Sequence, residues 1–416
     1  MLGSTLMVNA QSGTNSPYSQ CGLGELADQV SGFNRGMNGV GLGFHEHNQI
    51  NYLNPASYSS IDSLSFILDA GISGQIVNFE ENGIKKNAKN ATLDYIVAGL
   101  RACKNVGVSF GFVPITTVGY NYTDNATVGK YFDDVTYTNT SSGEGGFHQV
   151  YLGAAWRPVG GLSVGANVSY VWGNYTKTIN NEYSDSEVKT LARSYTSQVN
   201  ALKLDFGVQY TLKLMSHEWL TLGVTYSPKM TLGDADMSMT STASQTGQTY
   251  STSFTVEKAL KLPHTFGAGL MWNHADQLKV GLDYTLQKWG DLSSPAFDGN
   301  SYVLENDVYS NRSKCNLGVQ YCYGEMHRNF FKRVRYRAGV GYASSYYKVN
   351  GFDGPKEFSV SAGFGIPLIR YRHSSFLNVS GQWVKASATN LIKQNTFRLN
   401  LGFTFNEEWF RKWRMK

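Results

Sequence analysis

Histidine and cysteine are the side chains here best suited to nucleophilic or metal chemistry, and their placement supports neither. A nucleophilic enzyme needs a base beside its nucleophile, and a metal enzyme needs clustered ligands. The eight histidines are dispersed. Their one cluster, His45-Glu46-His47, lacks the HExxH spacing that sets two ligands on one helix face, so a solvated turn is its expected setting. No phosphate-binding glycine loop and no carboxylate pair worth naming occur in the sequence. Cys21, Cys103, Cys315 and Cys322 form no CxxC. They allow three disulfide pairings, and spacing favours none, so free thiols are the preferred reading. The chain is therefore expected not to be an enzyme, with no catalytic residue, metal or cofactor.

Almost everything after residue 63 keeps one pattern, apolar and polar residues alternating in runs of about ten, as in a strand with one oily and one wet face. The clearest run sets Leu202, Leu204, Phe206, Val208 and Tyr210 against Lys203, Asp205, Gly207 and Gln209. Such runs cover 63–77, 93–102, 106–122, 146–156, 162–175, 201–214 and 219–230. They continue over 265–272, 278–289, 313–323, 334–347, 358–370, 375–385 and 395–405. About fourteen strands result, an even number as a bacterial membrane barrel requires. Long polar segments (78–90, 124–146, up to 198, 231–262, 291–312) are read as loops, and they alternate with short turns at 104–105, 157–161, 215–218 and 273–277. The expected fold is all-β: a transmembrane antiparallel β-barrel with both termini periplasmic.

Composition agrees. Glycine (44), tyrosine (26) and phenylalanine (22) are abundant, while charged residues make up 16%. Mean hydropathy is −0.30, and no apolar run is long enough for a membrane helix. The net charge of +5 is spread without a basic block, so no nucleic-acid partner is expected. Asp69, Lys203, Asp205, Lys279, Asp283, Lys314, Arg335, Arg337, Glu357 and Arg398 fall on the lumen face. Charges of both signs there imply a lumen filled by paired side chains and a plug. Cys315 is expected to face lipid and Cys322 the lumen.

Residues 32–60, rich in Gly and Asn and without a helical face, are the expected core of that plug, a hatch spanning 11–62 ahead of a barrel over 63–406. Residues 1–10 read as the remnant of a secretory signal, with Val8-Asn9-Ala10 as cleavage site. Residues 407–416 read as a periplasmic amphipathic tail, with Trp409 and Trp413 at the membrane interface. Pro114 interrupts the third strand. Proline cannot donate to a ladder, and a closed barrel has no edge to host it, so a local break in the wall is expected there.

Several segments together resemble the FadL-type family of outer-membrane transporters for hydrophobic compounds, in a divergent branch. They are Ser16-Pro17-Tyr18-Ser19 with Gly22-Leu23-Gly24; Gly36-Met37-Asn38-Gly39-Val40-Gly41; Leu53-Asn54-Pro55-Ala56-Ser57; Gly111-Phe112-Val113-Pro114; Thr225-Tyr226-Ser227-Pro228-Lys229; Leu262-Pro263-His264-Thr265; and Asp283-Tyr284-Thr285 with Trp289. The resemblance implies a fourteen-stranded barrel in the outer membrane of a Gram-negative bacterium, with an N-terminal hatch in its lumen. It maps Asn54, Pro55 and Ala56 onto a hatch motif, and Phe112, Val113 and Pro114 onto a kink that opens the wall near that motif. The implied function is passive uptake of hydrophobic small molecules, fatty-acid-like or aromatic, released sideways into the membrane lipid. The same branch also implies an alternative, a non-transporting accessory barrel in a secretion or assembly complex with other envelope proteins as partners.

Overall fold

The computed structural model describes residues 14–81, 83–127, 136–184, 189–233, 236–245, 248–297, 301–349, 351–368, 375–388 and 391–408. The expected signal remnant and the tail beyond residue 408, with Trp409 and Trp413, lie outside the described residues.

Fourteen strands close one antiparallel barrel. They are β1 (Ser65–Glu81), β2 (Ile84–Cys103), β3 (Val106–Thr127), β4 (Thr136–Val159), β5 (Leu162–Tyr183), β6 (Thr190–Met215) and β7 (Glu218–Ser227). The ring continues through β8 (Thr265–His274), β9 (Leu278–Gln287), β10 (Arg312–Tyr321), β11 (Arg335–Ala343), β12 (Lys356–Pro367), β13 (Phe376–Ser387) and β14 (Lys393–Glu408). Each strand pairs with the next, and β14 returns to β1 from Ser65↔Glu408 to Glu80↔Lys393. Closure removes outer edges wherever neighbouring strands pair.

The alternation sorts side chains as the pattern requires. On β6, Leu202, Leu204, Phe206, Val208 and Tyr210 are exposed on the outside, and Leu282, Leu317 and Leu399 continue that apolar band around the ring. So extensive an exposed apolar surface suits lipid rather than water. Cys315 is exposed and Cys322 buried, and all four cysteines are free.

The long loops read from the sequence are in large part strand. β4 is 24 residues long and β6 is 26, against about 10 needed to cross a bilayer. Residues 78–90 are the joined ends of β1 and β2. Residues 231–262 contain the hairpin Met237–Gln245/Gln248–Val256, whose first strand pairs with the upper part of β6 from Met237↔Ser197 to Ser244↔Thr190. The physical reason is that apolar alternation marks only the lipid-facing stretch. Beyond it the backbone still needs partners, and Thr- and Tyr-rich sequence favours a ladder without any oily face.

Residues 14–62 fill the barrel. They include two short helical turns, Gly32–Arg35 and Pro55–Ser60. Phe33, Met37, Val40 and Phe44 pack with Met271 of β8. Ile50, Tyr52, Tyr58 and Ile61 pack with Tyr95, Val97 and Tyr151 of β2 and β4. The plug lies directly on wall backbone: a Cβ at Gly107 would be 1.9 Å from the Tyr58 carbonyl oxygen, and one at Gly223 would be 2.0 Å from that of Leu42. Only glycine admits such an approach.

Candidate functional site

The ladder parts between β2 and β3. β2 and β3 pair from Cys103↔Val106 as far as Ile96↔Phe112 and no further. Above that rung β2 pairs only with β1, and β3 stays paired with β4. Pro114 stands two residues past the last rung, and the β3–β4 register shifts between Pro114 and Thr116. A residue without an N–H sits where a donor would otherwise be wasted, and the bulge turns the strand. The outer flank of this opening is aromatic: Phe112 stacks on His148 at 5.5 Å and lies 6.0 Å from Trp172. Val113 is buried.

The edge that β3 loses to this parting is taken up by the hatch. Glu25 and Leu26 pair antiparallel with Thr117 and Thr116. The Ala27 N–H donates to the Ile115 carbonyl at 2.9 Å, and Gln29 Nε2 donates to the Pro114 carbonyl at 2.6 Å. Gly24, at φ +101°, makes the sharp entry, and a Cβ there would be 2.6 Å from the Thr117 carbonyl oxygen.

Between this hatch strand and β1–β2 lies a cavity of about 420 Å³, with Leu93, Phe112, Pro114 and His148 at its wall side. Its inner surface is charged. Asp28 is held by Lys314 at 3.0 Å and by Arg398 at 3.1 Å, and Arg35 meets Asp94 at 3.3 Å. Lys314, with Arg398, holds the Asp28 carboxyl well below the usual carboxylate range, although burial works in the opposite direction. Burial pushes Glu25 up. Arg35 Nε and Asp94 Oδ2 are buried without a protein partner, so the cavity holds unmet polar capacity.

Sequence reasoning placed Pro114 at this site but set the wrong part of the hatch beside it. The residues next to Pro114 are 24–29. Asn54, Pro55 and Ala56 pack against other strands: a Cβ at Gly165 of β5 would be 2.6 Å from Pro55, and one at Gly207 of β6 would be 2.1 Å from Asn54 Oδ1. Asn54 caps its own turn, accepting from the Ala56 N–H at 3.1 Å and donating to the Leu42 carbonyl at 2.9 Å. Its role in the structure is to shape the plug. Asp28, Arg35 and Asp94 were missed. Asp94 left a signal, since it spoils the alternation of β2 and sits at the register shift opposite Gly71/Ile72.

His45-Glu46-His47 is not the expected solvated turn. His45 Nδ1 bonds Gln209 Oε1 at 2.8 Å, Glu46 Oε1 meets Lys279 Nζ at 2.5 Å, and His47 Nδ1 meets Asp62 Oδ2 at 2.8 Å. The three side chains diverge because each is tied to a different part of the wall or hatch. No metal-binding group occurs among the described residues. Burial pushes Glu46 up, but Lys279 and Arg335 outweigh it and bring the carboxyl down to about 2.

A closed fourteen-strand antiparallel barrel with an N-terminal hatch is the fold of the FadL-type channels. Solved structures agree over nearly their whole lengths. The CymD monoaromatic hydrocarbon channel gives a TM-score of 0.60 at 17% identity, covering 90% of this chain and 97% of that one. The toluene transporter TodX of Pseudomonas putida gives 0.62 at 15%, covering 94% and 99%. A FadL homologue of Pseudomonas aeruginosa gives 0.63 at 10%, covering 92% and 99%. The BamG family model matches residues 1–416. The chain belongs to the BamG family. No curated protein matches it in sequence.

Proposed function

We propose that this chain is a barrel of the Gram-negative outer membrane, with both termini periplasmic, that serves as a non-transporting accessory subunit of an envelope secretion or assembly complex. The observation that carries this reading is the charged inner surface of the cavity beside the parted wall. An apolar ligand seated there would strip water from Asp28, Arg35, Asp94, Lys314 and Arg398 and offer them nothing in return;. Binding sites for greasy molecules are lined mainly by apolar side chains with few polar groups. The test is purification of the chain in mild detergent from its native membrane. A stoichiometric envelope partner is expected, and a monomer without partners overturns the reading.

A second reading, passive passage of hydrophobic small molecules with sideways release, is favoured by the parting of β2 from β3 and by the aromatic flank of Phe112, His148 and Trp172. In this reading Phe112, Val113 and Pro114 form the opening and the hatch, with Asn54–Ala56 in it, forms the gate. Uptake of labelled fatty acids and monoaromatics by cells with and without the chain separates the two. Unchanged uptake across the panel excludes the second.

A further inference from the structure

The lipid-facing wall is hollowed where β12, β13, β14 and β1 lie side by side. A groove of about 570 Å³ runs there, with Gly74, Ala362 and Gly381 as floor. Val360, Trp383, Phe397 and Ile76 form one side, since the register pairs Val360↔Trp383, Trp383↔Phe397 and Ile76↔Phe397 in a continuous row. The floor is open: a Cβ at Gly381 would meet nothing within 4 Å. The groove has the apolar lining of an acyl-chain seat rather than of a polar site.

Towards the loop end, the next outward positions on these strands and on β2 carry lysines. Lys385 lies opposite Phe358, and Lys89 lies opposite Ile76. Lys393 and Lys85 flank Glu80 on its two sides, and Lys356 ends β12. All five are exposed. Glu80 is the carboxylate facing them, 3.9 Å from Lys85 Nζ. Five ammonium groups against one carboxylate, set at the edge of an apolar band, make a locally positive rim where lipid headgroups lie.

We propose that the groove and its lysine rim bind one phosphate-bearing lipid, an acyl chain lying over Gly381 and the phosphates resting on Lys385, Lys393 and Lys89. Groove and rim are adjacent along the same strands, so one amphiphile satisfies both. The site is on the outside of the barrel and is separate from the cavity, so it depends only on the chain spanning a membrane.

The full chain is placed in nanodiscs of phosphatidylcholine containing a small fraction of bisphosphorylated lipid A, and retained lipid is read by native mass spectrometry. Wild type is expected to keep one lipid A. K89Q/K385Q/K393Q should lower retention on the order of a hundredfold, as loss of three surface cations at a membrane implies. G381L fills the groove while keeping every lysine and should lower retention as well. Dephosphorylated lipid A should not be retained. Heat-dependent gel mobility checks that each variant is a folded barrel. Undiminished retention in either variant overturns the proposal. Equal loss in K104Q/K213Q, at the opposite rim, does so too. Displacement by inorganic phosphate alone would mark a free-anion site and overturn the lipid assignment.

Discussion

At the scale of single residues, the plug is held by buried polar side chains that each have a definite partner. Asn54 is one. Replacing it with alanine removes the cap on Ala56 and leaves the Leu42 carbonyl without that donor, at a cost of about 1–3 kcal/mol. Lower thermal stability of N54A in detergent is the expected result, with barrel closure unaffected. Glu46 is a second. Its carboxyl is brought down to about 2 from an ordinary 4.5, so the stability it gives is fully present above pH 4.5 and is lost as pH falls towards 2. Hydrogen exchange in the hatch should therefore quicken on acidification through that window. In E46Q the exchange at neutral pH should already be fast and the acid-dependent part should shrink. An acid response identical in E46Q and wild type would assign it to other carboxylates.

At the scale of elements, the parted wall is maintained by the strand that replaced β2. With Ile115, Thr116 and Thr117 bonded to residues 25–27, restoring a donor at position 114 does not by itself reclose the β2–β3 ladder. Disrupting the hatch strand is the sharper intervention. Gly24→Val places a branched side chain at φ +101°, against the Thr117 carbonyl and the Val118 side chain, and should release residues 25–29. Faster exchange of the Leu26 and Ala27 amides, with β3–β4 exchange unchanged, is the expected signature, whereas protection equal to wild type would show that the pairing does not depend on this turn. The same elements mark the limits of sequence reading. Pro114 could be seen because proline in a ladder breaks a local rule. Glu25–Leu26 could not, because two residues have no period and their partner lies about ninety positions away. Strand number and facing were legible from Leu202 to Tyr210 and its counterparts. The extensions of β4 and β6 were not, since nothing outside the lipid band requires alternation.

At the scale of the whole molecule, closure and the hairpin above it are separable. β7 pairs with β8 over ten residues, Glu218↔His274 to Ser227↔Thr265, and β6 pairs with β7 from Phe206↔Tyr226 downward. The hairpin at 237–256 adds to the ladder only above these, where its first strand pairs with the upper part of β6. Its second strand is mostly exposed and nearly all Ser, Thr, Gln and Tyr. Polar surface of this kind does little for the folding of the barrel, yet it stands clear of the membrane band and presents tyrosine and hydroxyl groups, side chains suited to adaptable protein contacts. Replacing 236–257 with a short Gly-Ser linker should therefore leave a heat-modifiable, detergent-stable barrel. If the chain is an accessory subunit docked through its loop end, the same replacement should abolish co-purification of its partner. Retention of the partner would move the docking surface to the opposite rim, where Met326, Phe330 and Phe331 are exposed beside Lys332 and Arg333. Collapse of the barrel itself would show that the upper ladder of β6 contributes to closure, contrary to the pairing.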